Sequence, residues 1–259
     1  MRTIKLTLEY DGTCFHGWQV QPGKSTVQGE LEKALQTITQ ENVSVIGAGR
    51  TDAGVHALGQ VASFKTSSSI PLDGLLKGLN SMLPQGMAVI SCEEAPEGFH
   101  PIRDACYKIY TYHILVVEPR SPLWRQRAWT MPFKIDTDAV KRAAEYIVGE
   151  HDFSSFQASG SDVQSSIRRV YMADFIQLEH PLFPPSGGSH YLFTIAANGF
   201  LRYMVRNITG TLIEIGTGRR PWQEMETILK AKKRSAAGRT APPQGLYLQK
   251  VSFKPYKEQ

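Results

Sequence analysis

At the start of the chain apolar positions fall every second residue: Ile4, Leu6, Leu8 and Tyr10 alternate with polar neighbours as far as Asp11-Gly12. A period of two predicts a strand with one buried face, closed by a turn. The period then changes. Val27, Leu31, Ala34, Leu35 and Ile38 recur at helical spacing, and Ser25 with Gln28 ahead of them has the form of a capping box. Strand-like runs return over 42–47 and 58–65. A second helix, opened by Pro71, gathers Leu72, Leu75, Leu76, Leu79 and Leu83, and residues 87–92 predict another strand.

The same order of elements follows residue 104: strand 105–117, helix 137–148 ended by Gly149, strands 167–178 and 190–197, helix 200–215 and strand 246–252. The predicted fold is α+β, with two ferredoxin-like βαββαβ halves over 1–104 and 105–259. Their sheets are mainly antiparallel and flanked by helices. The repeat is one of element order, with no sequence self-similarity behind it. Stretches rich in Pro, Gly and Ser over 118–134, 155–166 and 180–189 predict loops, and 232–245 joins the last helix to the last strand.

With 259 residues, 41% hydrophobic and 10% aromatic, the chain can fill real cores. Its net charge of +5 favours a polyanionic partner. Basic residues also interleave with aromatics: Arg120, Arg125 and Arg127 around Trp124, Arg168-Arg169 before Tyr171, and Lys230, Lys232, Lys233, Arg234 and Arg239 in one segment. Taken singly, each cluster also fits a solvated face. Cys14, Cys92 and Cys106 are odd in number and lack the paired spacing of a zinc site or a disulfide framework, which fits a reducing cytosol and predicts no metal site. No apolar leader or run of eighteen apolar residues is present, so neither a signal peptide nor a membrane span is predicted.

The most distinctive chemistry lies between the strands at 42–47 and 58–65, in Gly47-Ala48-Gly49-Arg50-Thr51-Asp52-Ala53-Gly54-Val55-His56-Ala57. Its three glycines, Gly47, Gly49 and Gly54, let the backbone take turn conformations closed to other residues and leave little bulk around Asp52, so a planar substrate could approach the carboxylate, and Arg50 two positions earlier could hold it ionised. An Asx turn with a surface arginine is the alternative. Phosphate-loop readings fail on spacing: a dinucleotide fingerprint needs glycine where Asp52 stands, and a P-loop needs Lys-Ser or Lys-Thr where Val55-His56 stand.

Six further segments stand in register with this loop: Tyr10-Asp11-Gly12-Thr13 with Gly17-Trp18-Gln19, Phe99-His100, Lys108 to Tyr112, Phe200 to Asn207, and Ala241 to Tyr247. Together they resemble the tRNA pseudouridine synthase A family from residue 9 to residue 248. The resemblance implies a cytoplasmic enzyme that isomerises uridine to pseudouridine at positions 38, 39 and 40 of the tRNA anticodon stem-loop. It implies no cofactor and no metal, a homodimer with one tRNA lying across both subunits, and a catalytic cleft between the halves. Asp52 takes the place of the family's catalytic nucleophile or base. Arg206 is implied to pair with that aspartate, Arg50 to help push the target nucleotide from the stem, and Leu246 to line an apolar pocket. Tyr110 is implied to stack on the flipped base and to move a proton at C5. Where family members often carry Phe-Asn/His-Ala-Arg, this chain has Phe99-His100-Pro101-Ile102, with arginine only at Arg103.

On the residues alone, Arg202 and Arg206 share one face of the predicted helix, one turn apart. Tyr110 shares a strand face with Lys108 and Tyr112, while Tyr107 and Tyr112 suit a strand whatever its function. His16, His56 and His100 are read as loop hydrogen bonders rather than proton carriers. The segment Trp222 to Lys233 is read as helical. Two rival functions remain. A retaining glycosidase would need a second carboxylate about 5–5.5 Å from the first, and none stands in these motifs. A non-catalytic RNA-binding module of RRM type shares the element order, but its Gly-Phe/Tyr-Gly/Ala-Phe pattern is missing.

Overall fold

The computed structural model describes residues 1–160, 164–179 and 188–257. Along the chain run β1 (Arg2–Tyr10), α1 (Val27–Thr39), β2 (Ile46–Gly47), β3 (His56–Thr66), α2 (Leu72–Met82), β4 (Met87–Ala95) and β5 (Tyr107–Val116). There follow β6 (Trp129–Met131), α3 (Thr137–Glu145), β7 (Gly149–Asp152), β8 (Ile167–Leu178), β9 (Ser189–Ala197), α4 (Met204–Gly216), α5 (Glu224–Ala231) and β10 (Leu246–Ser252). The protein is mixed α+β, and its strands pair mostly antiparallel. No described helix is long and apolar enough to cross a membrane. The chain divides into two compact units: Met1–Cys106 with Tyr247–Pro255, and Tyr107–Leu246 with the chain end from Tyr256.

In the first unit β1 lies between β4 and β3, antiparallel to both, and β2 pairs with β3. Tyr247 and Leu248 of β10 run parallel to His56 and Ala57. The alternation read from the sequence holds: Ile4, Leu6 and Leu8 are fully buried, as are Leu31, Leu35, Leu75 and Leu79 from α1 and α2. Two local expectations are corrected. The cap of α1 is Thr26, whose hydroxyl accepts from Gly29 N–H, while Gln28 turns away from Ser25 and donates to the Val45 carbonyl. The strand expected over 42–47 shrinks to Ile46–Gly47, because α1 side chains take over its backbone groups: Glu32 accepts from Val45 N–H and Gln28 donates to Val45. Val43 and Val45 stay buried although only Ile46–Gly47 join the ladder.

In the second unit β9 pairs antiparallel with β5 and β8, β8 with β7, and β6 runs parallel to the end of β5. One face carries Tyr112, Phe193 and Phe175, all fully buried. Helices α3 and α4 pack on each other and bury Val140, Ala143, Ile208 and Leu212. The predicted helices prove shorter: α3 ends at Glu145, α4 starts at Met204 and α5 spans Glu224–Ala231. Strands β6 and β7 are additions to the expected set. Of the loops predicted over 155–166 and 180–189, residues 161–163 and 180–187 lie outside the described residues.

Candidate active site

Asp52 sits in the connection between β2 and β3, half-buried, and Arg50 beside it is exposed. The loop is held mostly by its own backbone against residues 10–18. Trp18 N–H donates to the Thr51 carbonyl at 3.0 Å, Gly54 N–H to the Gly12 carbonyl at 3.2 Å, and Val55 N–H to the Asp52 carbonyl at 3.1 Å. Ala48 N–H reaches Val61 at 2.7 Å, tying the loop's start to β3. Few side chains are needed for this, so the positioning of Asp52 is built into the fold of the main chain.

The glycines serve two different purposes here. Gly54 has φ +80°, a conformation that other residues adopt only under strain. Gly47 and Gly49 do not, which corrects the expectation that all three provide turn freedom. At Gly47 the need is space, since a Cβ would lie 2.4 Å from the Trp18 indole. The closest approach involves a glycine outside the loop. A Cβ on Gly12 would lie 2.0 Å from the Val55 carbonyl oxygen, a backbone atom with nowhere to go.

Side chains finish the clamp. The Tyr10 and Thr51 hydroxyls share a 2.8 Å hydrogen bond in the core, and Gln60 donates to the Gly49 carbonyl at 2.8 Å. Burial pushes the Tyr10 phenol up to about 12, so it remains protonated and serves as a structural partner. His56 is buried, accepts at Nδ1 from Gly12 N–H at 3.2 Å, lies 3.3 Å from the Asp11 carboxylate and stacks on Tyr247. His100 Nδ1 accepts from Ile102 N–H at 3.2 Å, and Asp104 closes the same turn by accepting from His100 N–H at 2.8 Å. Arg103 stays exposed. Both histidines are loop hydrogen bonders, as their place in the sequence suggested.

The second unit holds Tyr110, Arg206 and Leu246. Tyr110 is buried on β5, opposite Ile195, with Phe200 edge-on to its ring at 5.0 Å. Its strand neighbour Tyr112 is fully buried and donates its hydroxyl to the Pro242 carbonyl at 2.6 Å, a structural duty. Burial drives the Tyr112 phenol far above its ordinary range, against the opposing pull of the Arg206 and Arg239 charges.

Arg206 lies in the first turn of α4, but Arg202 lies ahead of the helix, so the two do not share a helical face as expected. They meet another way. Tyr203, between them, takes the left-handed conformation at φ +65°, and the guanidinium carbons of Arg202 and Arg206 stand 4.9 and 4.8 Å from its ring centroid. Arg206 Nε donates to the Ala241 carbonyl at 2.8 Å, and Ala241 N–H donates back to the Arg206 carbonyl. A single strap, residues 239–246, thus receives Arg206 and Tyr112 and ends in buried Leu246. Gly210 allows it to lie close, since a Cβ there would stand 1.7 Å from the Arg239 carbonyl oxygen.

Sequence reasoning read Tyr10 as a buried strand position and Gly12 as part of a turn, gave neither a part in holding the Asp52 loop, and gave no role to Tyr203 or the strap carbonyls. For Gly12 a signal existed in the Asp-Gly turn after β1; for carbonyl acceptors none exists, because every residue has one. Among the described residues, no three His, Cys, Asp or Glu side chains gather in a way that could hold a metal ion.

A family model described as tRNA pseudouridine synthase matches residues 7–102 and 143–254. Three proteins named tRNA pseudouridine synthase A are each 44% identical to this chain over 98% of its length. They come from Caldicellulosiruptor bescii, Geobacter sp. strain M21 and Thermoanaerobacter sp. strain X514, and 100%, 99% and 100% of their own lengths are covered. The matched residues include the Asp52 loop and its clamp as well as the Arg206 helix and its strap, and on this match the chain belongs to the tRNA pseudouridine synthase family.

Proposed function

We propose that this protein isomerises uridine to pseudouridine at positions 38, 39 and 40 of the tRNA anticodon stem-loop, with Asp52 as the catalytic nucleophile or base. The observation that carries the reading is the Asp52 loop. A half-buried carboxylate stands among small residues on a loop fixed by backbone hydrogen bonds, in a chain of this family. The reaction breaks the N1–C1′ bond, turns the uracil and forms a C5–C1′ bond. The C5 hydrogen leaves as a proton and N1 gains one, so nothing is consumed and no cofactor is required. A carboxylate held in place suits each route to this outcome: addition to the base, addition to the sugar, or proton removal from the ribose.

The remaining residues serve the substrate. Tyr110 offers a ring for stacking, worth about 1–3 kcal/mol per base, and a hydroxyl for proton transfer at C5. Arg206, oriented through Ala241, contributes a directed charge, and Leu246 an apolar wall that keeps water from the cleaved intermediate. Exposed Arg50 fills the space that the extruded base vacates. Both halves follow the ferredoxin-like plan; in the first, β4, β1 and β3 lie in the order this plan requires, with β2 beyond β3. The enzyme works in the cytoplasm as a homodimer.

The test is tritium release from tRNA labelled at uridine C5, comparing wild type with Asp52→Asn. Release by wild type in proportion to target uridines, with a silent variant that still binds tRNA, supports the reading. Binding by both proteins without release by either would leave an RNA-binding protein of RRM type in its place.

A further inference from the structure

Lys108 on β5 and Arg168 on β8 are two half-buried charges that the proposed chemistry leaves unused. Lys108 stands opposite Ala197 of β9, and Ala197 stands opposite Val170 of β8, so Lys108 and Val170 share a face of the sheet. Arg168, two residues before Val170 on β8, faces the same way, and Tyr110, two residues after Lys108 on β5, does too. The guanidinium of Arg168 lies over Gly199, where a Cβ would stand 3.5 Å from its Nε, and the next residue, Phe200, packs on Tyr110. Two cations and one tyrosine therefore gather at one end of one face.

Their electrostatics are unusual. Arg168 spends one amino group on the carbonyls of Ser165 and Ile167, and neither it nor Lys108 forms an ion pair with a carboxylate among the described residues. Burial, and then the neighbouring Arg168 charge, pushes the Lys108 ammonium down to about 8. Half-burying two like charges side by side costs stability, since desolvation and repulsion act together and, among the described residues, no carboxylate offsets either. Such a pair has the form of a site whose missing member is an anion.

We propose that Lys108 and Arg168 seat a phosphodiester of the bound RNA, next to the nucleotide whose base lies against Tyr110. The inference rests on the tRNA reading of the active site. Two residues along a strand are separated by about 7 Å, within the reach from a base to its own backbone phosphate. The seat would fix the sugar on one side while the uracil, once cleaved, turns on the other.

Lys108→Met separates this role from a structural one. Among the described residues Lys108 donates no side-chain hydrogen bond, so its loss orphans no partner there, and removing a half-buried charge leaves thermal stability unchanged or raised. The seat requires that tRNA binding weaken by about five- to tenfold at moderate salt, with the slope of log affinity against log salt falling by about 0.7–0.9, one phosphate contact. Lys108→Arg restores both, and kcat at saturating tRNA changes little beside KM. A Lys108→Met protein that melts earlier and binds tRNA with the wild-type salt slope overturns the seat. So does a wild type that fails to bind tRNA. A wild type that binds with the stated slope change on mutation but releases no tritium upholds the seat and refutes the isomerase reading instead.

Discussion

The Asp52 loop and the Arg206 strap achieve the same end by opposite means. In the first, backbone bonds to backbone, and glycines stand where any side chain would intrude. In the second, long side chains reach out to carbonyls: Arg206 to Ala241 and Tyr112 to Pro242. In the proposed reaction the Asp52 carboxylate meets a planar base, and a main-chain mount with little bulk suits that role. A guanidinium has length and freedom to lose, so it needs a partner along its shaft to point it.

The contrast can be broken where each mount is tightest. Gly210→Ala drives a Cβ into the Arg239 carbonyl, and we expect the largest loss, about 3 kcal/mol or more in urea unfolding, together with weakened tRNA binding as the strap lifts. Gly12→Ala sets a Cβ against Val55 and should cost about 2–3 kcal/mol, but with a different signature: tritium release collapses while tRNA affinity stays within a few-fold. If both variants lose affinity equally, the two mounts are not independent.

Smaller effects sharpen the comparison. Tyr112→Phe leaves the Pro242 carbonyl without its donor and should cost about 1–2 kcal/mol; Tyr10→Phe, which leaves Thr51 free to turn elsewhere, should cost about 1 kcal/mol. Calorimetric melting of both variants checks the order. The smallest effect is one of pH. Lys108 holds its proton less tightly in the folded protein, about 8 against an ordinary 10.5. The penalty for its charge is therefore present in full below pH 8 and lifts as pH rises toward 10.5. The stability gained by Lys108→Met should shrink across that window, and wild-type tRNA affinity should fall above pH 8 by a step that the variant lacks.

These two regions also differ in how well the sequence announces them. A glycine kept for close approach, such as Gly47 against Trp18 or Gly12 against Val55, replaces a side chain with none and so leaves a readable mark around Asp52. The alternation of β1 and the apolar faces of α1 and α2 were readable for the same reason: burial imposes a period. The strap left no such mark, because its acceptors are carbonyls. Nor did the start of α4, where Tyr203 takes a left-handed conformation that a tyrosine does not advertise, shifting the helix to Met204 and carrying Arg202 out of it. The β2 segment was overread because Glu32 and Gln28 satisfy its backbone from a helix, a substitution no local pattern reveals.

The return of Tyr247–Pro255 to the first unit sets a timetable for synthesis. As the chain leaves the ribosome, β1 to β4 can pair at once, yet the edge of β3 beside His56 and Ala57 waits for Tyr247 and Leu248, which are made only after the whole second unit. The nascent first unit therefore carries an unpaired strand edge, and His56 lacks its stacking ring, through most of translation. The strand that carries His56 on from the Asp52 loop therefore gains this neighbour only once the second unit has been made.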